Sequence, residues 1–390
     1  MMVMYIHRDL SAKVLELAAA FPVLTLTGPR QSGKTTLARR CFPNLDYVNL
    51  EEPQLRAQAT ANPRGFLSRH PAGVILDEIQ RVPELLSTVQ VLVDAQPKAG
   101  RFVLTGSEQL GLRRALSQSL AGRTALLHLL PLSMAELNTA GLRPPIEDLL
   151  FTGFYPRLHA DNVPAYAAHS AYIQTYLERD VRLQGEIRLL SNFQRFLTLC
   201  AGRVGALLNL NSLSSEVGVA ASTLREWLSL LEAAYVVFLL PPWHANIGKR
   251  LVKTPKLYFH DVGLAAFLLG VEEPSHVKTH PLTGALFENL VVGECLKARW
   301  NQGLRSNLSF YRDHAGHEVD VVADGPNGPR LLEIKSSQSL HQDFVKGFSA
   351  FEKATGRPAL QRWIVYSGES VDSAFGARAI HVRELGGYLK

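Results

Sequence analysis

The sequence predicts an α/β protein in which a helix-covered parallel sheet is followed by a helical stretch, a helix-turn-helix with a hairpin, and a second α/β module. Three observations predict it. Short apolar runs alternate with helix-compatible segments from Val23 to about Leu132. A glycine-rich loop joins the first of these runs to the helix after it, and a final block from Pro281 to Lys390 reads helix, three strands, helix, strand. Strands that alternate with helices pair in parallel and are buried on both faces. The expected units are 1–145 for the first sheet, 146–190 for the helical stretch, 191–275 for the helix-turn-helix unit and 280–390 for the last module.

In the first unit, Val23–Thr27, Tyr47–Leu50, Val74–Asp77, Phe102–Thr105 and Ala125–Leu129 read as strands. Gly141 to Pro145 punctuates its end. The 390 residues, 46% hydrophobic and 19% charged, suit two or three globular domains. A net charge of +6 permits a nucleic-acid partner without demanding one. Cys41, Cys200 and Cys295 are far apart and lack metal-ligand spacing, so free thiols in a reducing compartment are expected. The N-terminus shows no secretory pattern, and the longest apolar run, Ala233 to Pro242, is too short for a bilayer. These features predict a cytoplasmic protein without a membrane span.

Gly28-Pro29-Arg30-Gln31-Ser32-Gly33-Lys34-Thr35, followed by Thr36, matches the P-loop pattern after a strand and before a helix. Glycines let the backbone wrap a phosphate, so that its N–H groups and the helix N-terminus point at negative charge. Lys34 would reach the β- and γ-phosphates of ATP, and the Thr35 hydroxyl would ligate Mg²⁺. Val74-Ile75-Leu76-Asp77-Glu78 is an apolar strand ending in two carboxylates. Asp77 would hold the same Mg²⁺ and Glu78 would polarise the attacking water. Ser107, preferred over Thr105, would sense the γ-phosphate or hold the water. Arg123 would contact phosphates of its own site or of a neighbour's.

The segments GPRQSGKTT, VILDEIQRVPELL, LTGSEQL, LAGRTALLHLLPLSMAEL and YLERDV, in this order, resemble the bacterial and archaeal AAA-superfamily ATPases that carry a C-terminal domain of unknown function. The resemblance covers nearly the whole chain. It implies an AAA-type P-loop NTPase core with the loop-bearing strand at the sheet's centre. It also implies a homo-oligomer, such as a ring, with Arg123 as the finger candidate. Gly153-Phe154-Tyr155-Pro156 departs from the family's frequent double glycine without touching a catalytic position.

Leu210 to Leu228 reads as helix, tight turn at Gly218, helix, with Leu210, Leu213, Val217, Val219, Leu224, Leu228 and Leu231 as its apolar contacts. Tyr235–Leu240 and Lys256–Phe259 would complete a winged helix, a reading the resemblance supports. The second helix offers Ser222, Thr223 and Arg225 but also Glu226 and Glu232, which is thin for reading a major groove. His244, Asn246, Lys249, Arg250 and Lys253 in the hairpin connection would track phosphates better.

In the last module, alternation from Gly316 to Ala323 places Glu318 and Asp320 on one face and valines on the other. Glu333 and Lys335 likewise share a face. The helix-Asp-Glu-x-Lys order resembles the PD-(D/E)xK nuclease superfamily, a restriction-endonuclease-like fold. That resemblance assigns Asp320 and Glu333 to Mg²⁺, Lys335 to the transition state or to activation of water, and Glu288, with Glu294 as runner-up, to the helix carboxylate. Phe344, Phe348 and Phe351 recur at helical spacing and read as core. The function expected is Mg²⁺-dependent ATP hydrolysis coupled to action on DNA, branched or broken, with the nuclease-like module binding or cutting it. Its rival is a regulatory or defence switch that works through protein partners.

Overall fold

The computed structural model describes residues 4–107, 116, 118–161, 163–177, 190–244 and 254–389. Five parallel strands form the first sheet: β1 (Val23–Thr27), β2 (Asp46–Asn49), β3 (Val74–Asp77), β4 (Phe102–Gly106) and β5 (Thr124–His128), in the order β2-β3-β4-β1-β5. Strands β1, β3 and β4 are buried along their whole length, as a sheet packed on both faces requires. Strand β1 lies inside the sheet between β4 and β5, but the middle place belongs to β4, one strand away from the position expected for the loop-bearing strand.

Helices α1 (Ser11–Ala18) and α2 (Lys34–Cys41) pack on one face through Val14, Leu37 and Ala38. Helix α3 (Leu85–Ala95) covers the other face through Leu85, Leu86, Val89 and Val93. After β5 the chain enters α4 (Met134–Thr139), whose start is fixed by a capping box. Ser133 Oγ accepts from the Glu136 N–H, and the Glu136 carboxylate accepts from the Ser133 N–H. Next come α5 (Ile146–Thr152), α6 (Pro156–Ala160) and α7 (Leu190–Ala201).

Helices α8 (Leu210–Val217) and α9 (Ala221–Ala233) meet at Gly218, whose φ of 81° suits the left-handed turn. Leu213, Val217, Leu224, Leu228 and Leu231 are buried there as expected, and Trp227 joins them. Strands β6 (Val237–Leu240) and β7 (Lys256–Phe259) then pair antiparallel. Of the connecting residues singled out above, only His244 is described; Asn246, Lys249, Arg250 and Lys253 lie outside the described residues, as do Glu178 to Asp180.

Helix α10 (Val262–Leu268) and the 19-residue α11 (Thr283–Asn301) lead into the second sheet. Its strands are β8 (Leu308–Arg312), β9 (Glu318–Ala323), β10 (Arg330–Lys335), β11 (Gln361–Tyr366), β12 (Val371–Ala374) and β13 (Ala377–His381), with α12 (Lys346–Thr355) between β10 and β11. The order is β12-β13-β11-β10-β9-β8. The sequence reading stopped at one strand after α12 and missed the β12–β13 pair. Strand β12 is mostly exposed, so it lacks the apolar run that marks a buried strand.

The expected alternation in β9 fails for an identifiable reason. Ser309 pairs with Val322 and Tyr311 with Val319, so three steps on β9 oppose two on β8. The extra residue is a bulge. It puts Val319 and Val322 together against Phe348 and Phe351, and sends Val321 into the opposite core. The valines therefore do not share one face, whereas Glu318 and Asp320 both lie toward Lys256. Phe348 and Phe351 are core as expected, with Phe344 packed at their edge. A single apolar cluster runs from Leu132 and Phe154 through Trp227 and Phe259 to Leu290 and Trp363. This cluster crosses the boundaries expected at 146, 191 and 280, while the first sheet keeps two cores of its own and the last module another.

Candidate active site

The loop after β1 closes as its glycines demand. A Cβ on Gly28 would lie 2.1 Å from the Leu129 carbonyl oxygen, and Gly28 and Gly33 have φ of 149° and 92°. Gln31 also takes a left-handed φ of 63°. Such backbone conformations in a non-glycine residue concentrate at ligand sites. Lys34 is buried, and its Nζ donates to the carbonyls of Gly28 (3.0 Å) and Pro29 (2.7 Å). Burial lowers its pKa to about 8, against the opposing pull of Glu78 and Asp77.

Asp77 is the best-connected carboxylate of the site. Thr35 donates to its two oxygens at 3.0 and 2.9 Å, and Tyr47 donates at 2.7 Å. Thr105 donates to it as well. Thr35 and Asp77 are the pair that would hold a divalent ion. Glu78 carries a φ of 56° at the turn out of β3. Gln80 donates to Glu78 and, at 3.1 Å, to Ser107 Oγ, so one amide links the two polar residues expected near the γ-phosphate. The β3 and β4 ends thus divide the work: Thr105 grips Asp77, and Ser107 reaches Glu78 through Gln80. Residues 108–115 lie outside the described residues.

A cleft of about 620 Å³ opens beside the loop. Arg30, Gln31, Gly33, Lys34, Thr35, Thr36 and Glu78 line one side, and Tyr5, Ile6, Leu132, Pro156 and Arg157 line another. Pro29 and Ser32 complete the loop, and Ser32 is fully buried. The N-terminal segment and α6 were not expected to contribute. Their sequence carries no phosphate-binding pattern, and only the fold brings them to the loop.

Two buried junctions tie the loop to the rest of the chain. Arg8 donates to the Ser32 carbonyl (2.6 Å) and the Leu130 carbonyl (2.6 Å), and pairs with Glu136 at 3.0 Å. Thr27, the last residue of β1, meets His128 at 2.8 Å and Tyr235 at 2.9 Å, while His128 and Tyr235 lie 2.8 Å apart. Tyr235 stands between α9 and β6, with a φ of 56°. The helix-turn-helix unit therefore touches the strand that carries the loop.

Arg123 is far from its own loop. It precedes β5, and its neighbour Thr124 pairs with Val23, whereas the loop leaves the opposite end of β1 after Thr27. Four residues of strand separate the two, on the order of 13 Å. Its guanidinium instead makes a two-pronged pair with Asp94 at 2.6 and 2.8 Å. Contact with the phosphates of its own site is overturned by this placement.

The second group of candidates does come together. Lys335 pairs with Glu333 at 2.6 Å, and the buried Asp320 accepts the Ile334 N–H at 2.7 Å. Burial, then the charges of Glu333 and Glu288, hold the Asp320 carboxyl well above the usual range. Glu333 is raised as well, by burial against the pull of Lys335. Glu288 joins them from α11. The runner-up Glu294 lies elsewhere: it pairs with Lys297 at 2.8 Å and accepts the Met134 N–H. Lys256 of β7, not foreseen, enters the cluster and pairs with Glu288 and Glu318. Among the described residues, no group of three or more His, Cys, Asp or Glu is placed to hold a metal ion.

Cys200 and Cys295 are buried free thiols, raised to about 12 by burial, and Cys41 is half-buried. Among the described residues no helix is long and apolar enough to cross a membrane.

Residues 20–138 match the AAA domain family, and residues 143–275 and 283–385 match two domains of unknown function, DUF8612 and DUF4143. The AAA match on the P-loop geometry above marks a nucleotide-binding ATPase core. Among solved structures, the Walker-type ATPase of Pyrococcus abyssi overlaps 68% of this chain and 96% of its own, with 15% identity and a TM-score of 0.45. The Holliday junction branch migration motor RuvB of Thermotoga maritima overlaps 60% and 90%, with 23% identity and a TM-score of 0.28. Both scores are too low to define the fold. The chain is 21% identical over 383 residues to an uncharacterized protein of Methanocaldococcus jannaschii, covering 90% of this chain and 81% of that one. The uncharacterized protein Rv2008c of Mycobacterium tuberculosis is 34% identical over 336 residues, 85% of this chain and 74% of its own length. An identity of that level over that span makes this chain a member of the same family as the mycobacterial protein, built on an AAA-type P-loop ATPase core.

Proposed function

We propose that this protein hydrolyses ATP with Mg²⁺ and couples the cycle to action on DNA, branched or broken. The observation that carries the coupling is the Thr27–His128–Tyr235 contact, which joins the strand bearing the P-loop to the helix-turn-helix unit. Lys34 would leave its carbonyl partners for the β- and γ-phosphates. Mg²⁺, when bound, supplies charge neutralisation at the phosphates, and Thr35 and Asp77 are the residues that would hold it. Glu78 accepts the proton of the attacking water, with Gln80 and Ser107 orienting it.

In this reading α8, α9 and the β6–β7 pair form a winged helix, and the last module is a nuclease-like fold that holds DNA. The protein works as a homo-oligomer, a ring or a smaller assembly. Arg123 exchanges Asp94 for the phosphates of a neighbour's site. A second reading is a regulatory or defence switch that acts through protein partners, with a catalytically silent C-terminal module. The exposed Glu226 and Glu232 on α9 favour it, since carboxylates repel a phosphate backbone.

Steady-state ATP turnover, measured without DNA and with single-stranded, duplex and four-way DNA, separates the two. Stimulation of tenfold or more by one structure is expected from the first reading. Turnover that ignores every DNA would leave the switch.

A further inference from the structure

The C-terminal carboxylates meet a cation that belongs to another part of the chain. Lys256 lies on β7, in the hairpin of the middle unit, yet its ammonium sits 3.0 Å from Glu288 Oε1 and also pairs with Glu318. Its side chain is only 5% exposed. Tyr258, two residues on, donates to the same Glu288 oxygen at 2.5 Å. The Phe310 ring lies 5.5 Å from the ammonium and helps to close the pocket.

The hairpin is held in this position from both sides. Lys256 pairs with Leu207 on one side, and Pro242 bridges to Phe310 of β8 on the other. The Trp243 N–H donates to the Phe310 carbonyl at 2.6 Å.

A divalent ion needs unpartnered oxygens that converge on one point, and for Mg²⁺ one or two of them come from carboxylates. Here Glu288 Oε1 already accepts from Lys256 and Tyr258, Glu318 is taken by Lys256, and Asp320 accepts a backbone N–H. Glu333 pairs through Oε1 with Lys335 and keeps only its buried Oε2 without a partner, so the described residues bring no set of three carboxylates to one point. A doubly charged ion beside a buried ammonium would also be repelled. The Mg²⁺ implied by the nuclease resemblance therefore does not fit this arrangement.

We infer that Lys256 is a resident cation which takes the place of a metal among Glu288, Glu318 and Asp320. The cluster stays closed to divalent ions while the hairpin is docked. The inference is independent of ATP turnover, because its readout is metal binding in nucleotide-free protein.

The test is a Mn²⁺ titration of the full nucleotide-free chain, followed by calorimetry and by the electron paramagnetic resonance of free Mn²⁺. Wild type and Asp320→Asn are expected to give the same isotherm. Lys256→Met should gain one site at least tenfold tighter than any in wild type, and adding Asp320→Asn should remove it. Lys256→Gln, which keeps a donor for Glu288, serves as the second variant and should gain the same site. Lys256→Arg keeps the cation and should gain none. A wild-type site that Asp320→Asn abolishes would overturn the inference. So would folded Lys256→Met or Lys256→Gln protein that binds no more Mn²⁺ than wild type.

Discussion

Both ends of the chain set a buried lysine against carboxylates, and they do so to opposite effect. Lys34 rests on two backbone carbonyls, with Asp77 and Glu78 near but not paired to it, and burial brings it down to about 8. Lys256 is buried too, but Glu288, Asp320 and Glu318 together outweigh that penalty and hold it above the ordinary lysine range. The first site is left short of negative charge and opens into a cleft, so an anionic ligand completes it. The second already holds its counter-charge and is plugged by its own chain. Residue types alone do not separate a ligand site from a closed electrostatic contact; the difference lies in whether the buried lysine's charge is already met by paired carboxylates.

The largest effect should follow from breaking the first half of this contrast. Lys34→Ala removes the one cation placed for the β- and γ-phosphates, and ATP turnover should fall by about 10²–10³. Phosphate release at saturating ATP measures it. A loss smaller than tenfold would mean that another cation from the cleft, such as Arg30 or Arg157, does that work.

Gln80→Ala sharpens the same half. Gln80 holds no phosphate position, but its amide links Glu78 and Ser107. Its loss should lower kcat by about tenfold, or about 1.4 kcal/mol, and leave KM for ATP within twofold. A change confined to KM would place Gln80 in nucleotide binding instead. A rise in kcat would show that it restrains Glu78 rather than aligning it.

The two regions also differ in how far the sequence discloses them. The P-loop is a local pattern: eight consecutive residues whose backbone geometry follows from Gly28 and Gly33, so both its position and its partners Asp77 and Glu78 are legible. Gln80, Arg8 and Tyr235 were missed because each acts across the fold. Arg8 reaches the Ser32 carbonyl from 24 positions upstream, and nothing in its own surroundings marks it. In the last module the order of Glu288, Asp320, Glu333 and Lys335 is legible, and the fold does gather them. The bulge in β9 is not, because it arises from pairing with β8 and strict alternation is the only rule a lone strand offers. Lys256 was invisible for the same reason. It lies 32 residues before Glu288, in a hairpin whose connection was read for charge and whose strands were read only as apolar.

The smallest effect concerns the cost of the closed cluster, and its sign follows from Asp320. Burial and the neighbouring charges of Glu333 and Glu288 raise its folded pKa above the unfolded value of about 3.9. A carboxyl raised in this way favours the fold fully below about pH 3.9, and that contribution is lost as pH rises through the folded value. Asparagine keeps an oxygen for the Ile334 N–H and is neutral throughout. Asp320→Asn should therefore match wild type in acid and become more stable as pH rises, by about 1 kcal/mol near pH 8. Thermal unfolding of both proteins at pH 5 and pH 8 tests this, with the gap expected to widen at the higher pH. The attraction of Lys335 and Lys256 works in the other direction, and the raised pKa means that burial and the two glutamates outweigh it. A variant less stable than wild type at pH 8 would reverse that ranking: Asp320 would then be an ion-pair partner that the cluster needs.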